Sequence, residues 1–131
     1  MGNKLNRAIY LIGSTLVRPF FGTKVVGKEN IPADGCLICP NHTTASDAIS
    51  IILALGKNCD YAIMAKAELF KNRILAWLFN AVGGFPVNRE GNDLNAIRLG
   101  TKALKAGKKL ILFPEGTRRR DGKLGPAKAG A

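Results

Sequence analysis

The sequence predicts an α/β domain: a largely parallel or mixed sheet flanked by helices, with an amphipathic helix at its amino end. Two observations carry this. Short apolar runs of strand length alternate with stretches of helical period, the pattern that builds parallel sheets through helical crossovers. The 131 residues are 47% hydrophobic and 22% charged, a globular composition of one-domain length.

The elements follow in order. Leu5, Ile9, Ile12, Leu16 and Phe20 recur at helical spacing, widened by Tyr10 and Leu11. Arg7, Gly13 and Arg18 interrupt this run, which is too short to span a membrane, a task needing about 20 apolar residues. The helix either packs on its own domain or lies in a membrane interface with its arginines at headgroup level. Residues 1–22 are therefore set apart from the domain expected over 23–131. Residues 24–28 predict a short strand, ended by the turn residues Asn30, Pro32, Asp34 and Gly35. Residues 36–39 predict a buried strand, and Ser46 caps a helix that Gly56 stops. A strand is expected over 61–64, and a helix over 69–82 closed by Gly83 and Gly84. Residues 85–87 form a strand whose Pro86 places it at an edge or a start. Asn92 caps the next helix, which ends near Ala106 with Lys102 and Lys105 where the helix dipole favours cations. Residues 109–113 predict the last strand.

Twenty Lys/Arg oppose nine Asp/Glu, a net charge of +11. Residues 98–131 hold ten of those cations against Glu115 and Asp121 alone. Such an excess asks for a polyanion, either an acidic membrane surface or a phosphorylated substrate. Nucleic acid fits poorly, because aromatics are few and do not interleave with the basic run. Cys36 and Cys39 form a C-x-x-C, but residues three apart on a strand face opposite ways and cannot chelate one ion. With one His and no second Cys pair, no metal site is expected. Free thiols without a secretion signal favour a reducing, cytosolic compartment. Residues 22–28 nearly spell a phosphate-binding loop, yet Glu29 stands where Ser or Thr must hold magnesium, and the segment precedes a strand.

The informative segment is Asn41-His42-Thr43-Thr44-Ala45-Ser46-Asp47. In a continuous helix, five residues turn about 500°, so His42 and Asp47 would diverge. They meet only if His42 lies in the loop and Asp47 in the first helical turn, where the boundary at Ser46 puts them. Histidine titrates near neutrality and can take a proton from a hydroxyl, and a carboxylate on its other nitrogen fixes the tautomer. A loop-structuring histidine is the alternative for the segment alone. Two further segments, Gly84-Phe85-Pro86-Val87-Asn88-Arg89 and Phe113-Pro114-Glu115-Gly116-Thr117-Arg118, also follow strands. That is the sheet edge where α/β domains bind ligands. Arg89 and Arg118 offer planar forks for phosphate oxygens, and Gly116 lets backbone N–H groups approach an anion.

Together these segments resemble the first three sequence blocks of glycerolipid acyltransferases, the 1-acylglycerol-3-phosphate acyltransferase family. The similarity runs from about Val25 to the end. The resemblance implies transfer of a fatty acyl group from an acyl thioester, on coenzyme A or acyl carrier protein, to the hydroxyl of 1-acylglycerol 3-phosphate, making phosphatidate. The alternatives are glycerol 3-phosphate or another lyso-lipid as acceptor, or a non-catalytic basic membrane-binding fragment. The resemblance also implies no bound cofactor and a peripheral place at the cytoplasmic membrane face. By the family pattern His42 is the general base and Asp47 its orienting partner. Arg89, with Lys66 of Met64-Ala65-Lys66, matches phosphate-binding positions. Glu115, Gly116, Thr117 and Arg118 match the block tied to acceptor binding and site architecture. Arg119 and Arg120 depart from the small polar residue usual there and are expected to face solvent or lipid. Similar proteins continue past the segment matched by Lys128 and Gly130, so a truncated front portion of a longer enzyme is expected.

Overall fold

Apolar runs of the sequence become four short parallel strands in a computed structural model, which describes residues 4–16, 18–22, 24–88 and 93–128. The strands are β1 (Cys36–Ile38), β2 (Tyr61–Lys66), β3 (Gly84–Val87) and β4 (Lys109–Ile111), ordered β1-β4-β2-β3. The helices are α1 (Lys4–Leu16), α2 (Arg18–Phe21), α3 (Asp47–Leu55), α4 (Arg73–Ala81) and α5 (Leu94–Lys105). Every described pairing is parallel, as the strand–helix alternation predicts: β1 with β4, β4 with β2, and β2 with β3. Right-handed crossovers then place α3 and α4 on one sheet face and α5 on the other. Pro86 does lie on an edge strand, since β3 pairs only with β2.

The core follows from strand alternation. Ile63 and Ile111 meet Ile52 and Leu55 of α3, with Tyr61 completing a buried cluster. On the opposite face Gly100 of α5 lies so close that a Cβ would come within 2.9 Å of Met64 Cε and 3.1 Å of Leu110 Cδ2. Lys109 is buried at the start of β4, its ammonium donating to the carbonyls of Pro32 and Ala33 at 2.6 and 2.9 Å and to that of Asp34. It fastens the connection that leads into β1.

Several elements differ from the sequence prediction. Residues 24–27 form no strand: Val25 and Val26 are exposed, no neighbouring strand pairs with them, and Gly27 at φ 76° turns the chain into a 3-10 turn at Lys28–Asn30. The helix expected from residue 69 is split. Residues 67–71 make a 3-10 turn, and Asn72 accepts the N–H groups of Ile74 and Leu75 at 2.9 and 3.1 Å, so α4 begins after it. Asp93, not Asn92, caps α5 by accepting the Ala96 N–H at 2.9 Å, while Asn92 lies outside the described residues. Ser46 holds the cap position of α3, but its hydroxyl makes no capping bond and pairs with Thr44 instead.

Among the described side chains, much of the amino-terminal apolar stripe is not buried. α1 contacts α3 through Gly13, where a Cβ would sit 3.4 Å from Leu53 Cδ2. Ile12, Leu16 and, in α2, Phe20 face outward and are exposed.

Candidate active site

The site lies beyond the carboxyl ends of β1 and β4, which are sheet neighbours. Pro40 ends the first run, so His42 sits in the loop before α3, and Asp47 is the first residue of that helix. Their side chains meet as the spacing requires, with His42 Nδ1 at 3.0 Å from Asp47 Oδ2. The same oxygen accepts the Thr43 and Thr44 N–H groups at 2.6 and 2.9 Å. The Thr44 hydroxyl donates to Asp47 Oδ1 and therefore accepts from Ser46, at 2.8 Å. Burial works to raise the pKa of Asp47. The hydroxyl and amide of Thr44, His42 and the Thr43 amide outweigh it and hold the carboxyl well below the usual range. An ionised carboxylate only accepts, so Nδ1 carries the proton facing it, and in the neutral ring Nε2 is left as a proton acceptor.

The segment after β4 holds this histidine from three sides. The Phe113 ring stacks on the imidazole at a centroid distance of 4.0 Å. Glu115 Oε1 accepts the backbone N–H of His42 at 3.0 Å, and the Arg119 N–H donates to the His42 carbonyl at 2.8 Å. Glu115 is only 7% exposed, and its second oxygen takes the Gly125 N–H at 3.0 Å. Gly116 turns the chain between them at φ 66°, a left-handed conformation that favours glycine.

These contacts define the surroundings of two residues in the segment after β4. The carboxylate of Glu115 is turned inward onto backbone amides and supports the histidine loop. The backbone N–H of Arg119 holds the His42 carbonyl, and its partly exposed guanidinium pairs with Asp121 at 3.0 Å. Sequence reasoning missed Phe113 and the amides of Thr43 and Thr44. Their one sequence signal is position, directly after the last strand and directly after the histidine.

Thr43, Thr44, Ala45 and Gly122 line an open cavity of about 390 Å³ with Arg118, Arg119 and Arg120. Arg118 and Arg120 give this cavity beside the His42 loop a cationic lining, while the Arg119 guanidinium is engaged by Asp121. Thr117 is exposed next to it. Lys66 ends β2 at the same sheet edge, two strands from β1 and so roughly 10 Å across. Its half-exposed ammonium pairs with Glu68 at 3.3 Å. Arg89 lies outside the described residues. Among the described residues no group of three His, Cys, Asp or Glu stands close enough to hold a metal ion.

The structure thus joins a parallel α/β layer to a carboxylate-oriented imidazole at its carboxyl edge. Comparison with known proteins gives the family. The family model described as Acyltransferase matches residues 22–131, and the chain belongs to that family. It is 32% identical over 125 residues to the 1-acyl-sn-glycerol-3-phosphate acyltransferase BAT2 of Brassica napus, covering 92% of this chain and 36% of that protein. It is 38% identical over 100 residues to the 1-acyl-sn-glycerol-3-phosphate acyltransferase of Bacillus subtilis, covering 74% and 49%. The crystal structure of the 1-acyl-sn-glycerophosphate acyltransferase PlsC from Thermotoga maritima superposes with a TM-score of 0.69 at 28% identity. That match takes in 95% of this chain and 49% of the other. The chain thus spans half or less of these relatives' lengths.

Proposed function

We propose that this chain carries the reacting part of an acyltransferase that makes phosphatidate from 1-acylglycerol 3-phosphate and a fatty acyl thioester. The observation that carries the reading is the His42–Asp47 pair, fixed at 3.0 Å beside an arginine-lined cavity. His42 Nε2 takes the proton of the acceptor hydroxyl as its oxygen attacks the thioester carbonyl carbon. The tetrahedral adduct collapses, the carbon–sulfur bond breaks, and the imidazolium returns its proton to the departing thiolate. Asp47 orients the ring and stabilises the imidazolium without itself taking the proton.

Arg118 and Arg120 receive the acceptor phosphate, with Lys66 and Arg89 as further cations at this edge. Coenzyme A and acyl carrier protein both present the thioester this chemistry needs. The protein works peripherally, on an anionic membrane surface at the cytoplasmic face. The outward Ile12, Leu16 and Phe20 support this reading, and no helix among the described residues is long and apolar enough to cross a membrane. Glycerol 3-phosphate is the alternative acceptor, since a cationic cavity selects the phosphate more than the acyl chain.

The test supplies lysophosphatidate with acyl-coenzyme A or acyl carrier protein thioester and measures phosphatidate. It is run on the chain itself and on a chimera in which it replaces the matching segment of the Bacillus subtilis relative. Phosphatidate formation by the chimera, lost in His42→Ala, is the expected result. A chimera that folds but makes no phosphatidate with either donor, or one indifferent to His42, overturns the proposal.

A further inference from the structure

Helix α4 presents two apolar faces, and the fold uses one. Ala76 and Phe79 are half-buried toward the domain, where Phe79 rests against Phe70 with ring centroids 5.6 Å apart, while Leu75 lies between the two faces at 38% exposure. Ile74, Trp77 and Leu78, at the i, i+3, i+4 spacing of the opposite arc, are 75%, 70% and 51% exposed. The nine residues of α4 contain no acid, and the exposed Lys71 and Arg73 stand at its start. The nearest acid before the helix, Glu68, is engaged by Lys66. An apolar arc centred on a tryptophan and headed by cations, in a protein of net charge +11, matches the chemistry of an anionic lipid interface. α4 follows β2 and so begins at the carboxyl edge of the sheet, the edge that carries His42.

We infer that the arc of Ile74, Trp77 and Leu78 is a membrane-docking surface, separate from α1, that seats the domain on anionic lipid with the acceptor site beside the bilayer. Trp77 lies at the level of the glycerol backbones, with Ile74 and Leu78 in the acyl boundary and Lys71 and Arg73 among the headgroups. A lysophospholipid acceptor then reaches the His42 edge from the lipid plane. The inference rests on the proposed function only for the choice of a lipid partner, and its test reads binding, not turnover.

Trp77 is the one tryptophan of the chain and therefore its own reporter. Vesicles of phosphatidylcholine, with and without 30–40% (about one-third) phosphatidylglycerol, are titrated while emission is recorded and bound protein is measured by sedimentation. Anionic vesicles are expected to blue-shift the emission, and lipids brominated in the acyl chain to quench it. Ile74→Ser with Leu78→Ser is expected to weaken binding about tenfold, and Lys71→Gln with Arg73→Gln to weaken it on anionic vesicles only. Circular dichroism checks that these surface variants remain folded. His42→Ala is expected to bind like the parent, so a failure of the catalytic reading leaves this result standing. Protein that sediments with vesicles while Trp77 keeps the emission of a hydrated indole docks elsewhere and overturns the inference. So does emission already blue-shifted before lipid is added, which means protein covers the face, and so does an absence of sedimentation with anionic vesicles.

Discussion

Glu115 and His42 are separated by 73 residues, yet the carboxylate of one accepts the backbone N–H of the other at 3.0 Å. The contact exists because β1 and β4 are neighbours in the sheet, so the loops that leave them meet. It ties the loop carrying the imidazole to the segment lining the arginine cavity, and makes Glu115 a positioning residue.

Replacing Glu115 separates that role from acceptor binding. Glu115→Ala leaves two backbone N–H groups without their charged acceptor and should lower unfolding free energy by about 3 kcal/mol. Glu115→Gln keeps the shape and one acceptor oxygen and should cost roughly half as much. In steady-state assays of the chimera both should lower kcat while leaving the acceptor KM near its parent value. A raised KM at constant kcat would place the carboxylate on the substrate instead.

The cavity arginines should show the converse. Arg118→Gln and Arg120→Gln remove the forks proposed for the phosphate without touching the His42–Asp47 pair. Each should raise the acceptor KM about tenfold, the effect of a lost charge-assisted contact, with a smaller change in kcat. An unchanged KM in the double variant would move the phosphate away from this cavity.

Asp47 links the site to acid stability. Its folded pKa is depressed below the ordinary unfolded value of about 3.9, so its contribution is complete above that pH. The contribution is lost as pH falls below about 4 toward the folded value. Denaturant unfolding of the parent should therefore weaken more steeply below pH 4 than that of Asp47→Asn, with parallel trends between pH 5 and 7. Equal acid slopes in the two proteins would contradict the bonding described for this carboxylate.

Lys109 offers a control at the other end of the molecule. It opens β4, away from the His42 edge, and is 5% exposed. Lys109→Met keeps most of the length but abandons the carbonyls of Pro32, Ala33 and Asp34, and should cost about 3 kcal/mol. Turnover per folded molecule should stay close to the parent's, and a selective loss of kcat would show that the two ends communicate.

The His42–Asp47 contact was legible in the sequence because one helix boundary governs it. If α3 starts after the loop, His42 and Asp47 must converge, and α3 does start at Asp47. Alternation of strand and helix likewise foretold a largely parallel sheet, and Pro86 marked an edge or a start, of which the edge is found. What escaped was settled by distant parts of the chain. Val25 and Val26 have strand chemistry but no partner strand. The period of α1 marked an apolar stripe but could not say that the Gly13 side, close enough for α3, would be the side that packs. Glu115 lay in a block tied to both acceptor binding and site architecture, but its partners, backbone amides at positions 42 and 125, are connected by no spacing rule.

The proposed role of His42 is tested most directly by single-turnover phosphatidate formation in the parent chimera and its His42→Ala variant, at saturating lysophosphatidate. Loss of the base should slow the step by about 10²–10⁴-fold while acceptor binding and thermal unfolding stay near the parent's. Asp47→Asn should fall between the two. A His42→Ala protein that transfers the acyl group at the parent rate would contradict the account.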